Sequence, residues 1–222
     1  MKLAVRRLLV FAIFGALVIP LTIQAAEDED RIVLLSVSDK GWADWQEKSF
    51  EGSTSYTLAD GEVTLVTAES NGTASGMFLE KEINIKDYPV LSWSWKVDKG
   101  LVAHDETTKA GDDYAARVYV VVSGGLFFWK TIAINYVWSS NSSSDKAWPN
   151  AYAGDNAQML ALRGSDNRQG EWHFESRNLR DDFQALFDRD IEVIDGIAIM
   201  TDTDDSGSSA VAIYGEMYLS RD

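Results

Sequence analysis

The run Gly111-Asp112-Asp113-Tyr114-Ala115-Ala116-Arg117-Val118-Tyr119 brings two adjacent carboxylates, an arginine and two phenols into one short stretch. Carboxylates accept hydrogen bonds from hydroxyls, a guanidinium donates them, and an aromatic ring offers an apolar face. These are the groups a polar-ligand site needs, and Asp112, Asp113, Arg117 and Tyr119 are its candidates. On an extended strand Asp113 and Arg117 share a side but stand about 13 Å apart. That is too far for a direct pair. An arginine among apolar neighbours in a strand is costly unless paired. Arg117 therefore meets either a carboxylate of another strand, as a structural ion pair, or a ligand, and both readings stand.

A second constellation is Thr201-Asp202-Thr203-Asp204-Asp205-Ser206-Gly207. Asp202, Asp204, Ser206 and Gly207 match the start of a calcium loop, in which alternate side chains supply oxygens and glycine allows a sharp turn. The twelfth position is Ile213, not the bidentate glutamate of an EF-hand. Calcium in a loop of another kind remains open, with Asp202, Asp204 and Ser206 as ligands. The plain alternative is an acidic hairpin turn between two strands. Trp148-Pro149-Asn150-Ala151-Tyr152 puts two aromatics on what reads as a loop. Trp148 and Tyr152 have less core to enter there and are the better aromatic candidates for a ligand.

Composition removes several other chemistries. The chain has 222 residues, no cysteine and two histidines, His104 and His173. Thiol catalysis, disulfides and cysteine-bound zinc are out, and a multi-histidine metal site has too few ligands. There are 35 Asp+Glu against 20 Lys+Arg, a net charge of −15. That balance opposes nucleic-acid binding, which requires clustered cations. G-x-S-x-G, G-x-G-x-x-G and P-loop patterns do not occur. His104 lies in a charged segment and reads as solvated; His173 reads as a strand residue. Glycoside cleavage needs two carboxylates about 5–9.5 Å apart, and so many acidic residues nominate pairs freely without placing any. The catalytic residues therefore stay unassigned.

Alternation dominates the elements that must position these groups. Leu91, Trp93, Trp95 and Val97 fall on one face, with Ser92, Ser94 and Lys96 on the other. That regularity makes Trp93 and Trp95 core residues. Tyr114–Val122, Thr131–Trp138 and Val211–Leu219 alternate as well. Ile32–Val37, Glu62–Thr67, Gly76–Ile85, Met159–Leu162, Trp172–Arg177 and Gly196–Thr201 are weaker strands between Gly, Ser, Asn and Asp clusters. Leu179, Phe183, Leu186 and Phe187 recur at helical spacing after Asn178, a residue suited to an N-cap. The expected fold is all-β: an antiparallel, jelly-roll-like β-sandwich of about ten strands with one short helix.

Residues 1–26 read as a secretory signal: Lys2, Arg6 and Arg7, an apolar run over residues 8–23, then Ala25 and Ala26 before an acidic stretch. The apolar run is shorter than a spanning helix needs and contains Pro20. Cleavage is thus the expectation, and an uncleaved anchor the alternative. Loss of the three basic residues takes the charge from −15 to −18 over about 196 residues. The expected product is a single domain, residues 27–222, periplasmic or secreted, with no membrane anchor. No residue pattern speaks to oligomeric state.

The run from Tyr88-Pro89 through Leu91–Val97, then Gly111–Val120, Tyr136-Val137-Trp138, Arg177–Phe183 and Ile197–Asp204, resembles the bacterial family called domain of unknown function 3047. The resemblance spans roughly residues 40–220. It implies an exported, β-rich bacterial domain and carries no reaction and no catalytic residue. Three functions are then expected in order. The first is carbohydrate binding, with Asp112, Asp113 and Arg117 on hydroxyls and Trp148 or Tyr152 against a sugar ring. The second is a polysaccharide-active enzyme, a glycoside hydrolase or lyase using Asp residues. The third is a non-catalytic envelope domain that binds another protein.

Overall fold

The computed structural model describes residues 30–35, 39–59, 65–126, 128–142 and 145–222, leaving aside the side chains of residues 39–41 and 128. The signal segment 1–26 lies outside the described residues, as do the last two positions of the Ile32–Val37 strand and the first three of Glu62–Thr67. Among the described residues, two sheets pack face to face. The six-stranded sheet holds β1 (Arg31–Leu35), β3 (Ser55–Leu58), β4 (Val66–Asn71), β6 (Val90–Lys99), β11 (His173–Asn178) and β13 (Ser209–Ser220). The other sheet runs in the order β2 (Gln46–Glu51), β5 (Ala74–Asn84), β12 (Val193–Asp202), β7 (Ala116–Val122), β8 (Ile132–Trp138), β10 (Gly154–Arg163), β9 (Ala147–Asn150).

Alternation explains the core between them. Leu91, Trp93, Trp95 and Val97 of β6 are buried and meet the inward residues of β7 and β8. Trp93 packs on Tyr136 with ring centroids 5.1 Å apart, and Trp95 meets Trp138 edge-on at 5.9 Å. The helix α1 (Leu179–Phe187) seats Leu179 and Phe183 in the same core. Its first turn is capped by Asn178, whose Oδ1 accepts from the amides of Arg180 at 3.1 Å and Asp181 at 3.3 Å.

The all-β sandwich with one helix is the observed architecture, with four local departures from the sequence reading. Strands β2 and β3 lie at sheet edges, and β2 is exposed throughout, so neither carries a strong apolar alternation. The Trp148-Pro149-Asn150 segment is not a loop but the edge strand β9, where a proline withholds no needed amide. Strand β10 inserts between β8 and β9 and pairs parallel to β8, with Met159 opposite Asn135. Finally, β12 and β13 belong to different sheets. The acidic segment after Asp202 is therefore a crossing between layers rather than a hairpin turn.

Candidate functional site

On β7, Ala116, Val118 and Val120 point into the core, which sends Arg117 and Tyr119 to the sheet's outer face. On β12, Ile197 and Ile199 point inward, and Met200 pairs in register with Arg117. Asp202, at the end of β12, thereby comes within reach of Arg117 although 85 residues separate them. Arg117 Nε donates to Asp202 Oδ1 at 2.9 Å, and Nη2 donates to Asp202 Oδ2 and to the carbonyl of Asp112. Nη1 donates to the Tyr119 hydroxyl at 3.2 Å and stands 3.7 Å from the Asp112 carboxylate. The Tyr114 ring lies 4.3 Å from the guanidinium carbon. From the core side, the Tyr214 hydroxyl accepts from the Arg117 amide at 3.2 Å and donates to the Met200 carbonyl at 2.6 Å.

This network is dry. Arg117 is 3% exposed and Asp202 2%. Burial pushes the Asp202 carboxyl up to about 8, and Arg117 opposes the rise. Burial raises Asp112 too, against the pull of Arg117 and Asn150. It raises the Tyr119 phenol to about 12, so Tyr119 stays neutral in ordinary buffers. Arg117 is thus held in a buried ion pair with its N–H groups taken up by protein acceptors.

Asp112 and Asp113 are set by a tight backbone approach. A Cβ on Gly111 would lie 2.3 Å from the Asp105 carbonyl oxygen, so only glycine fits there. The two carboxylates that follow diverge. Asp112 accepts from Asn150 Nδ2 at 3.0 and 2.9 Å. Asp113 turns to the interlayer crossing, where its oxygens accept from the amides of Asp205 at 3.2 Å and Ser206 at 2.6 Å. His104 is half-buried beside it rather than solvated, its Nε2 3.2 Å from the Asp113 carbonyl oxygen.

The trio expected to hold calcium is not assembled as such. Asp202 is engaged by Arg117, and Ser206 presents its amide to Asp113. The carboxylates that do converge are Asp113, Asp204 and Asp205, with oxygens within 4.8 Å of one another. Burial, then the charges of Asp205 and Asp113, raises Asp204. Oxygen-rich groups of this kind suit a hard cation, although two Asp113 oxygens already serve backbone amides.

Above Arg117 lies a cavity of about 520 Å³ to which every strand of the seven-stranded sheet contributes, from Phe50 on β2 to Asn150 on β9. Its floor includes Arg117, Tyr119, Asn135, Met200 and Asp202. Tyr152, just past β9, reaches the same cavity from the other sheet edge and donates to Asp205 at 2.6 Å. Trp148 does not reach it. Its ring stacks on Tyr114 at 6.5 Å and closes a small apolar cluster with Val137, Met159 and Ala161. Among the cavity residues that the sequence reading did not single out are Phe50 and Asn135. Phe50 sits on a strand without alternation. Asn135 carried a usable signal, as an amide opposite Ile134 and Tyr136 in a strand where Asn is disfavoured.

Fold and cavity together define a β-sandwich with an open, acidic cleft across one sheet. The chain belongs to the family described as protein of unknown function, DUF3047, whose model matches residues 43–218. Among solved structures it is similar to the family 11 carbohydrate-binding module from Clostridium thermocellum in complex with a mixed-linked tetrasaccharide. Identity there is 10% over 86% of this chain and 95% of the module, with a TM-score of 0.46. It is similar also to the xyloglucanase domain of NopAA from Sinorhizobium fredii, at 11% identity over 79% of this chain and 92% of that one, with a TM-score of 0.45. No curated protein sequence matches the chain.

Proposed function

We propose that the protein is an exported glycan-binding β-sandwich whose ligand lies in the cleft over Arg117. One observation carries this reading: two exposed aromatic rings from opposite sheet edges line a single, largely apolar cavity that also holds carboxylates and amides. Phe50 is 64% exposed and Tyr152 56%. Large rings left in water beside hydrogen-bonding groups suit a ligand that is apolar on its ring faces and polar at its rim, which describes a sugar. The rings are braced. Phe50 packs on Phe78 at 6.4 Å, and Lys109 sits 4.9 Å over Tyr152. Asp112 and Asp202 are already tied to Asn150 and Arg117, which favours binding over bond cleavage. The leader-like residues 1–26 support export to the periplasm or beyond.

The test is one incubation of residues 27–222 with a polysaccharide panel that includes peptidoglycan, with and without calcium. Retention on a polymer without soluble fragments is the expected outcome. The Phe50→Ala and Tyr152→Ala variants should each weaken retention about 3- to 10-fold, the worth of one ring contact. Fragment release would replace the binding reading with the enzymatic one. Unchanged retention in the double variant would move the ligand out of this cleft.

A further inference from the structure

Resting on that reading, we infer that the cleft selects a glycan bearing free amino groups, a polymer of glucosamine-like units carrying ammonium charges. The first argument is charge. Glu51, Asp112, Asp204 and Asp205 line the cavity, against the single guanidinium of Arg117, which Asp202 already engages. That guanidinium is no counter-ion for a ligand, because its N–H groups point at Asp202, Asp112 and Tyr119. The neighbouring lysines are likewise engaged, Lys48 with Glu80 and the Phe78 ring, Lys109 over the Tyr152 ring. Field lines from several carboxylates concentrate in a cleft with low-dielectric walls, drawing cations and repelling uronic acids or sulfated sugars.

The second argument is independent of charge. Asn135 is 1% exposed, lines the cavity floor, and its Oδ1 has no hydrogen-bond partner. A buried acceptor left unmet is destabilising, so a ligand that brings a donor recovers that loss. An ammonium carries three N–H donors and no acceptor, which complements both Asn135 and the surrounding carboxylates. An N-acetyl group offers one N–H, adds a carbonyl acceptor and bears no charge. Burial first, and then the charges of Asp205 and Asp113, raise Asp204; that crowding of charge is relieved by a cation and not by an acetamide.

The deciding experiment is calorimetric titration of residues 27–222 at pH 6, with a chelator present, using three hexamers of one linkage: glucosamine, N-acetylglucosamine and glucose. Spermidine serves as a sugar-free amine competitor. The glucosamine hexamer should bind at least tenfold tighter than the other two, with the advantage shrinking as salt rises. The Asn135→Leu variant, which fills the site without the acceptor, should lose most of that advantage and keep its fold. Equal binding of all three hexamers would overturn the inference and leave the glycan reading standing. Spermidine displacing the hexamer at equal concentration would overturn it as well, since the carboxylates would then bind amines without regard to the sugar. No binding by any hexamer, together with no retention across the polysaccharide panel, would remove the glycan reading itself.

Discussion

Of the hydrogen-bonded arginine–aspartate pairs among the described residues, the two most buried brace this sandwich, and their surroundings set them apart. Arg117 binds Asp202 through Nε and Nη2, and Arg177 binds Asp182 in the same forked way, its Nε 2.9 Å from Asp182 Oδ2. Each pair has a tyrosine. Tyr119 accepts from Arg117, whereas Tyr136 donates to Asp182 at 2.6 Å. The Arg117 and Asp202 side chains are each 3% exposed, while Arg177 is 32% exposed. The Arg177 pair balances one cation against one anion and fastens α1 to β11 and β8. The Arg117 pair has a further carboxylate, Asp112, 3.7 Å away and a cavity above it. A closed, balanced pair is a fastener. A buried pair with surplus acceptors facing an open cleft is a fastener and a binding floor together.

Alkali should produce the largest effect, because it attacks both networks. Burial raises the phenols of Tyr56, Tyr114, Tyr136 and Tyr214, and lifts Tyr119 to about 12. In the unfolded chain tyrosine titrates near 10. A folded pKa above the unfolded one gives stability that is complete below pH 10 and lost as pH climbs toward the folded value. Each such phenol then removes about 1.4 kcal/mol per pH unit. A domain with about 5–15 kcal/mol of stability should therefore unfold cooperatively between pH 10 and 12. Phenolate absorbance and circular dichroism should change together. Phenolate appearing from the buried rings while the dichroism stays native would contradict the burial argument.

Next comes the comparison itself. Arg117→Met leaves Asp202 and Asp112 in a dry site without their cation, a loss of about 3–5 kcal/mol. The double variant Arg117→Met with Asp202→Leu should recover part of it, since no buried charge of the pair is then stranded. Asp182→Ala should cost less, about 1–3 kcal/mol: the Tyr136 hydroxyl loses its acceptor, but Arg177 turns into water. Urea unfolding midpoints measure all three. Equal losses from the two single variants would erase the distinction drawn between the pairs.

The fold was legible where a strand separates two unlike environments. Leu91–Val97 sits between a tryptophan-rich core and a serine-bearing outer face, so its sequence alternates and reads as a strand directly. The exposed edge strand at Gln46–Glu51 separates water from water and leaves no such trace, which is why Phe50 went unnoticed. The cleft was legible in parts. Asp112, Arg117 and Tyr119 stand out as polar residues around an apolar strand, and Tyr152 as an aromatic near a turn. Their partners are set by pairing across the sheet, which a local pattern does not encode. Asp202 fitted a contiguous calcium spacing, yet its carboxylate answers to Arg117. Trp148 looked free for a ligand because its partner Tyr114 lies far away in the chain.

The smallest expected effect asks whether α1 is held by its pair or by its cap. Asn178 Oδ1 serves two amides of the first turn, while Asp182, one turn later, receives Arg177 and Tyr136. Asn178→Ala removes only the cap, about 1 kcal/mol. Its amides lie partly exposed, so water satisfies them in its place. Loss of Asp182 instead strands a buried phenol. The cap and the pair act on the same turn, so the double variant Asn178→Ala with Asp182→Ala should depart from additivity. A cap loss equal to that of Asp182→Ala would mean that the helix rests on its first turn. The Arg177 pair would then be a surface contact, leaving the Arg117 pair as the one charged fastener of structural weight in this comparison.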